Sequence, residues 1–227
     1  MRPSELVGKV LVGPNPYFGA PDAPNEGAVA DYFRDATWTV ADLDEVMQRK
    51  PEPGLVMSTV YHILGYSDAP VAHNLRFLLW QAGVATTATL WRPVISGPFS
   101  GCWLFNIRDR QVVHVGTGSG AWAAGMNVAV KTAFRNHVRG LRPGTVMGFS
   151  PSEYVNVGTL PGSTPAGDDF TSKEAWGMYT TDGTPWALGI GKITGGDGQP
   201  IGYYVLEARR AIARTWENID GQHEDWL

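Results

Sequence analysis

Cys102 is the only cysteine of the chain, and His114 follows it twelve positions later in Val112-Val113-His114-Val115. A thiol and an imidazole brought together supply a nucleophile and a base. The thiolate attacks a carbonyl carbon, the imidazole takes the thiol proton and returns it to the leaving group, and a third polar group holds the ring in its working tautomer. A single thiol excludes an intramolecular disulfide and a cysteine-rich zinc site, so Cys102 is either buried filler or a reagent. His62, His73 and His137 are the competing bases. They read as a hydrogen-bonded strand residue and two helix-surface residues. Asp109 falls at a turn and points to solvent, while Asp168 and Asp169 orient a base only if the loop carrying them folds over the site.

The elements that must position this pair are legible around it. Trp103 to Ile107 is mostly apolar, Arg108-Asp109-Arg110-Gln111 is polar, and an apolar run resumes at Val112. Strand, turn, strand is the simplest reading. With the turn centred near Arg108, Cys102 and His114 fall opposite each other, where Cβ atoms lie about 4.5–5.5 Å apart. Upstream, Val84 to Ile95 reads as a Thr-rich strand broken at its end by Pro93, and Ser96-Gly-Pro-Phe-Ser-Gly leads into the cysteine. Downstream, Gly116-Thr-Gly-Ser-Gly120 is a tight loop that lacks the Gly-Lys-Ser/Thr of a phosphate loop. A helix from Trp122 to Arg139 then packs behind the site, with Val128, Thr132 and Arg135 along one side and Val130, Phe134 and His137 along another.

Further away the pattern predicts a short strand at Leu6 to Val12, helices at Ala28 to Arg34, Ala41 to Arg49 and Val71 to Gln81, and a strand at Leu55 to Leu64. Short strands follow at Thr145–Phe149, Ala175–Thr180, Trp186–Ile193 and Ile201–Glu207, then a closing helix at Ala208 to Asn218. The Pro-rich stretch Ser150 to Phe170 exceeds ordinary connection length and is expected to be mobile or functional, and the C-terminal tail to fray. Length and composition point to one domain over 1–227, with an α/β fold: a sandwich of mixed β-sheets surrounded by helices and long loops. A net charge of −4 and a pI near 5.7 give no general basic footprint for nucleic acid or an anionic membrane. No apolar run approaches membrane-spanning length and the N-terminus lacks a secretory h-region, so the expected compartment at synthesis is a cytosol.

Phe99-Ser-Gly-Cys102 resembles the Leu-Ser-Gly-Cys motif of the bacterial glutamine-deamidating toxins, the group of the cytotoxic necrotizing factor catalytic domains and, more closely, the Burkholderia lethal factor. The twelve-residue spacing to the histidine matches, and a hydroxyl residue six before the cysteine, here Ser96, completes the site in that family. The resemblance covers Ser96 to Arg139, with Phe in place of Leu at 99 and Ser in place of Thr at 96. It implies a Cys–His amidohydrolase that deamidates a glutamine side chain of a target protein to glutamate. Cys102 would be the nucleophile, His114 the base and Ser96 the orienter, with backbone amides at Gly101 and Cys102 for the oxyanion. It implies no cofactor and no metal, a monomer, and a bacterial toxin or effector exported by a signal-less route to act in a target-cell cytosol. A cysteine protease or a transglutaminase would use the same pair, and a non-enzymatic binding protein on the same fold is the third possibility.

Overall fold

The computed structural model describes residues 2–12, 31–33, 36–41, 75–80, 82–118, 120–158, 170–194 and 200–222. Two sheets carry the architecture. The first is a closed barrel of β1 (Val10–Val12), β3 (Ala36–Ala41), β4 (Leu75–Leu79), β6 (Val94–Phe99), β10 (Phe170–Tyr179), β11 (Pro185–Thr194) and β12 (Pro200–Arg210), in the order β1-β12-β11-β10-β6-β4-β3. The second is six-stranded, in the order β13 (Arg214–Thr215), β9 (Val146–Phe149), β7 (Trp103–Ile107), β8 (Gln111–Val115), β5 (Ala85–Thr89) and β2 (Asp31–Phe33). Both are mixed: β4 pairs with β6 and β2 with β5 in parallel, and the remaining pairs are antiparallel.

Strand alternation sorts the apolar residues into three layers. Ile95, Trp176, Met178, Leu188 and Ile190 fill the barrel. Val94, Phe99, Ala175 and Tyr179 leave the barrel on its other face and meet Cys102, Leu104, Val112 and Phe149 of the second sheet. Trp103, Phe105, Val113 and Val115 point the opposite way, onto Val130, Phe134 and Val138 of helix α1 (Ala124–Val138) and onto Trp216 and Ile219 of α2 (Trp216–Gln222). Arg135 ties the two helices, donating to Asp220 Oδ1 through Nε at 3.0 Å and Nη2 at 2.7 Å. Among the described residues no helix is long and apolar enough to cross a membrane.

The sheet-rich mixed fold matches the expectation, but the enclosing helices do not. The two described α-helices lie against the outer face of the second sheet, while the other layer is a barrel that closes on itself. The helix expected at Val71 to Gln81 is strand β4, because Leu75–Leu79 is hydrogen-bonded between β3 and β6 and that pairing overrides local propensity. Ala28 to Arg34 likewise contains β2, and Ala41 ends a strand. The single strand read over Val84 to Ile95 divides at Leu90-Trp91-Arg92 into β5 and β6, which join different sheets. The closing helix over Ala208 to Asn218 is replaced by the end of β12, by β13 and by the later α2. The strand at Leu55 to Leu64, with His62, and the position of His73 lie outside the described residues, as do residues 159–169 with Asp168 and Asp169.

Two glycines permit close approaches, one between the layers and one inside the barrel. A Cβ on Gly177 would meet Leu104 Cδ2 at 2.9 Å, so its absence lets β7 settle against the barrel wall. A Cβ on Gly97 would stand 2.3 Å from Trp176 Cγ. Gly97→Ala is therefore expected to lower stability by about 2–3 kcal/mol through overpacking against a fully buried indole. A denaturant midpoint equal to the wild type's would show that β6 does not lie against Trp176.

Candidate active site

The β7–β8 hairpin forms as expected, with a different centre. Ile107 pairs with Gln111 and Leu104 with His114, so the turn is centred on Asp109 rather than Arg108. Arg108 and Asp109 both take positive φ, 56° and 53°, the conformation that matches the twist of a tight hairpin. Asp109 is exposed there, and its Oδ1 accepts from Asn106 Nδ2 at 3.1 Å. Leu104, not Cys102, is thus the residue opposite His114. Moving the turn centre by one residue changes the cross-strand pairing by two, which preserves the face. Cys102 remains on the face of His114 as its diagonal neighbour, at the distance of about 7–8 Å between Cα atoms that such pairs keep.

Ser96 comes from the other sheet. It faces out of the barrel wall opposite Gly177, and its Oγ lies 2.7 Å from His114 Nδ1. The register between β6 and β10 shifts between Ser96↔Gly177 and Phe99↔Ala175, giving β6 one extra residue. A bulge of this kind re-aims the side chain beyond it. Here it returns Phe99 to the face of Ser96, and the phenyl ring stacks on the imidazole with centroids 4.1 Å apart and planes 15° from parallel.

These contacts decide the imidazole's tautomer. Ser96 has one hydroxyl proton, and Oγ donates it to the Leu78 carbonyl at 2.6 Å. The 2.7 Å contact is then Nδ1–H donating to Ser96 Oγ, which leaves Nε2 with the lone pair of a base. That Nε2 is buried without a hydrogen-bond partner, the thiol included. Complete burial pushes the imidazole from 6.5 down to about 3, so the resting ring is neutral.

The thiol is placed differently from expectation. Instead of facing the ring nitrogen, Cys102 Sγ lies 2.9 Å from Thr117 Oγ1 and 3.6 Å from the Thr117 carbonyl oxygen. Cys102 is 4% exposed, and a pocket of about 480 Å³ at the turn end of the hairpin is lined by Asn106, Asp109, Asp182 and Arg210 among others. Ser100 and Gly101, which precede the cysteine in the chain, are exposed, and a Cβ built on Gly101 meets nothing within 4 Å. His137 is exposed on α1, away from the buried cluster.

The structure places Ser96 on His114 and Cys102 on the same face without a contact between thiol and ring; Thr117, Phe99 as a stacking partner and the Leu78 carbonyl are neighbours that the sequence reading did not name. Only Thr117 had a visible signal, its place in a glycine-spaced loop just past the base. Among the described residues no group of three or more His, Cys, Asp or Glu side chains is placed to hold a metal. No family model, no curated protein and no solved structure matches the chain.

Proposed function

We propose that the protein is a cysteine-dependent amidohydrolase that deamidates glutamine side chains of a target protein. One observation carries the reading: Ser96 and the Leu78 carbonyl hold His114 as the Nδ1–H tautomer, with an unpaired, buried Nε2 on the face of Cys102. Complete burial makes the neutral ring stable at rest, and an anionic sulfur on the same face favours the imidazolium during reaction. The likeness of Phe99–Cys102, Ser96 and the spacing to His114 to the deamidase toxins supports the choice of substrate.

In the reaction the target side chain enters over Gly101 and the S–H bond turns from the Thr117 carbonyl toward Nε2, with the Thr117 hydroxyl still beside the sulfur. The Sγ proton passes to Nε2 as sulfur bonds to the carboxamide carbon, and the oxyanion is met by the Gly101 and Cys102 amides. The imidazolium keeps its Nδ1–H on Ser96 Oγ. The C–N bond then breaks, Nε2–H protonates the departing ammonia, and water adds to the thioester with its proton going to Nε2. Glutamate leaves as sulfur recovers the proton.

The low exposure of Cys102 favours a second reading, a binding protein in which the thiol is packing. Mass spectrometry of a cell lysate treated with wild-type protein or with Cys102→Ala separates them. Glutamine-to-glutamate conversion confined to the wild type supports deamidation, peptide fragments or crosslinks would replace it with protease or transglutaminase activity, and no difference would leave the binding reading. A companion result is expected without substrate. His114→Gln, which keeps the side-chain volume, should slow iodoacetamide alkylation of Cys102 at pH 6 about ten-fold, because the thiolate is the reactive form and loses its base. Equal rates would remove the pair.

A further inference from the structure

The loop beyond β8 is anchored on both sides of Thr117. On one side Gly116 is tied to the start of β5: its N–H donates to the Val84 carbonyl at 3.0 Å, and Gly83 N–H donates to the Gly116 carbonyl at 2.8 Å. On the other side the Asn127 amide, from the first turn of α1, engages both backbone groups of Gly118. Nδ2 donates to the Gly118 carbonyl at 2.9 Å and Oδ1 accepts from Gly118 N–H at 2.8 Å. This two-point contact fixes the orientation of Gly118 as a strand partner would. Thr117 is therefore held in place, half-buried, with its hydroxyl 2.9 Å from Cys102 Sγ.

We propose that Thr117 is a further catalytic residue, the hydroxyl donor to the Cys102 thiolate, and that Asn127 is the positioning residue that keeps it there. The inference rests on the reading of Cys102 as nucleophile, and its second support is the unpaired Nε2 of His114 on the same face. Either atom of the 2.9 Å contact can donate; in this proposal S–H donates to the Thr117 carbonyl while sulfur is protonated, and Thr117 Oγ1–H donates to sulfur. When the proton moves to Nε2, the S–H contact ends and the O–H contact becomes charge-assisted. The negative sulfur then has a donor, where an apolar wall would have left it unpaired at high cost. No other reactant takes part: one proton moves from sulfur to nitrogen, and Ser96 and Thr117 hold the two resulting charges.

Alkylation of Cys102 by iodoacetamide, followed on the full folded chain from pH 5 to 9 by mass spectrometry, tests this. Thr117→Val keeps the shape and removes the hydroxyl. It is expected to slow the reaction at pH 6 about ten-fold and to move the pH profile to the alkaline side, with Thr117→Ser restoring most of the rate and Asn127→Ala falling between. A valine variant with the wild-type profile, or a faster reaction, would overturn the proposal by making Thr117 a spacer or a plug. Should the valine variant not fold, the rate ratio of Thr117→Ser to Thr117→Ala makes the same comparison, and a ratio near one overturns it. The assay adds no target protein, so a hydroxyl-dependent rate with no deamidated protein in the lysate would sink the deamidase reading alone. Ammonia release by a Thr117→Val enzyme whose alkylation is unchanged would sink the Thr117 role alone.

Discussion

Cys102→Ser and His114→Gln are each expected to reduce ammonia release from a confirmed protein substrate by at least about 10³-fold, the scale on which nucleophile and base act as one unit. Neither change empties much volume, so the fold should survive. Ser96→Ala should cost less activity, on the order of 10–10²-fold, because Ser96 orients the base without entering the covalent steps. It should cost more stability, since the Leu78 carbonyl and His114 Nδ1 both lose a buried partner at about 1–3 kcal/mol each. Rates measured with stability followed by urea unfolding separate the two patterns. Wild-type ammonia release by Cys102→Ser would end the nucleophile assignment, and a Ser96→Ala loss equal to that of His114→Gln would make the serine a participant in proton transfer.

The second large effect is on acid stability. His114 is held neutral by burial, with its titration pushed from 6.5 to about 3. Between those values the unfolded chain binds a proton at this position and the folded chain does not, so folding stability rises with pH there and falls as the solution is acidified. The slope is about 1.4 kcal/mol per pH unit, or on the order of 4–5 kcal/mol across the whole window. Carboxylates contribute lower down. Hydrogen bonds from the Thr180 hydroxyl and then Thr184 depress Asp182, and in Glu207 the upward push of partial burial is outweighed by Lys173 and Arg209. Stability from these groups is lost only as pH falls through the acid carboxylate range, so among the shifted groups of the described residues His114 is the one that acts at pH 5–6.5. Urea midpoints over that interval should slope in the wild type and flatten in His114→Gln. Parallel slopes would mean that His114 is not buried neutral in solution.

Local sequence was informative where the relevant relation was itself local. The apolar–polar–apolar run from Trp103 to Val115 dictated a hairpin, and the even spacing of Cys102 and His114 placed them on one face even after the turn centre moved from Arg108 to Asp109. On α1 the spacing put Val130 and Phe134 on one side together with His137; Val130 and Phe134 are buried, while His137 is exposed and Val138 takes the inner place. The resemblance at Ser96 added a partner that spacing alone did not reveal. What remained depends on which strands meet across the chain, and pairing energy between distant segments leaves little trace in either segment. Leu75–Leu79 reads as helix from its own residues and becomes a strand because β3 and β6 flank it. Ser96 and His114 belong to different sheets, so their 2.7 Å contact exists only once the barrel and the second sheet are packed, with Gly177 permitting the approach. The bulge that returns Phe99 to the imidazole, the carbonyl of Leu78 that selects the tautomer, and the Asn127 clamp that brings Thr117 to the sulfur are likewise products of tertiary packing. The sequence by itself determined which chemical groups share a face; the tertiary structure decided which nitrogen carries the proton and where the thiol rests, because both are settled by hydrogen-bond partners supplied from other elements.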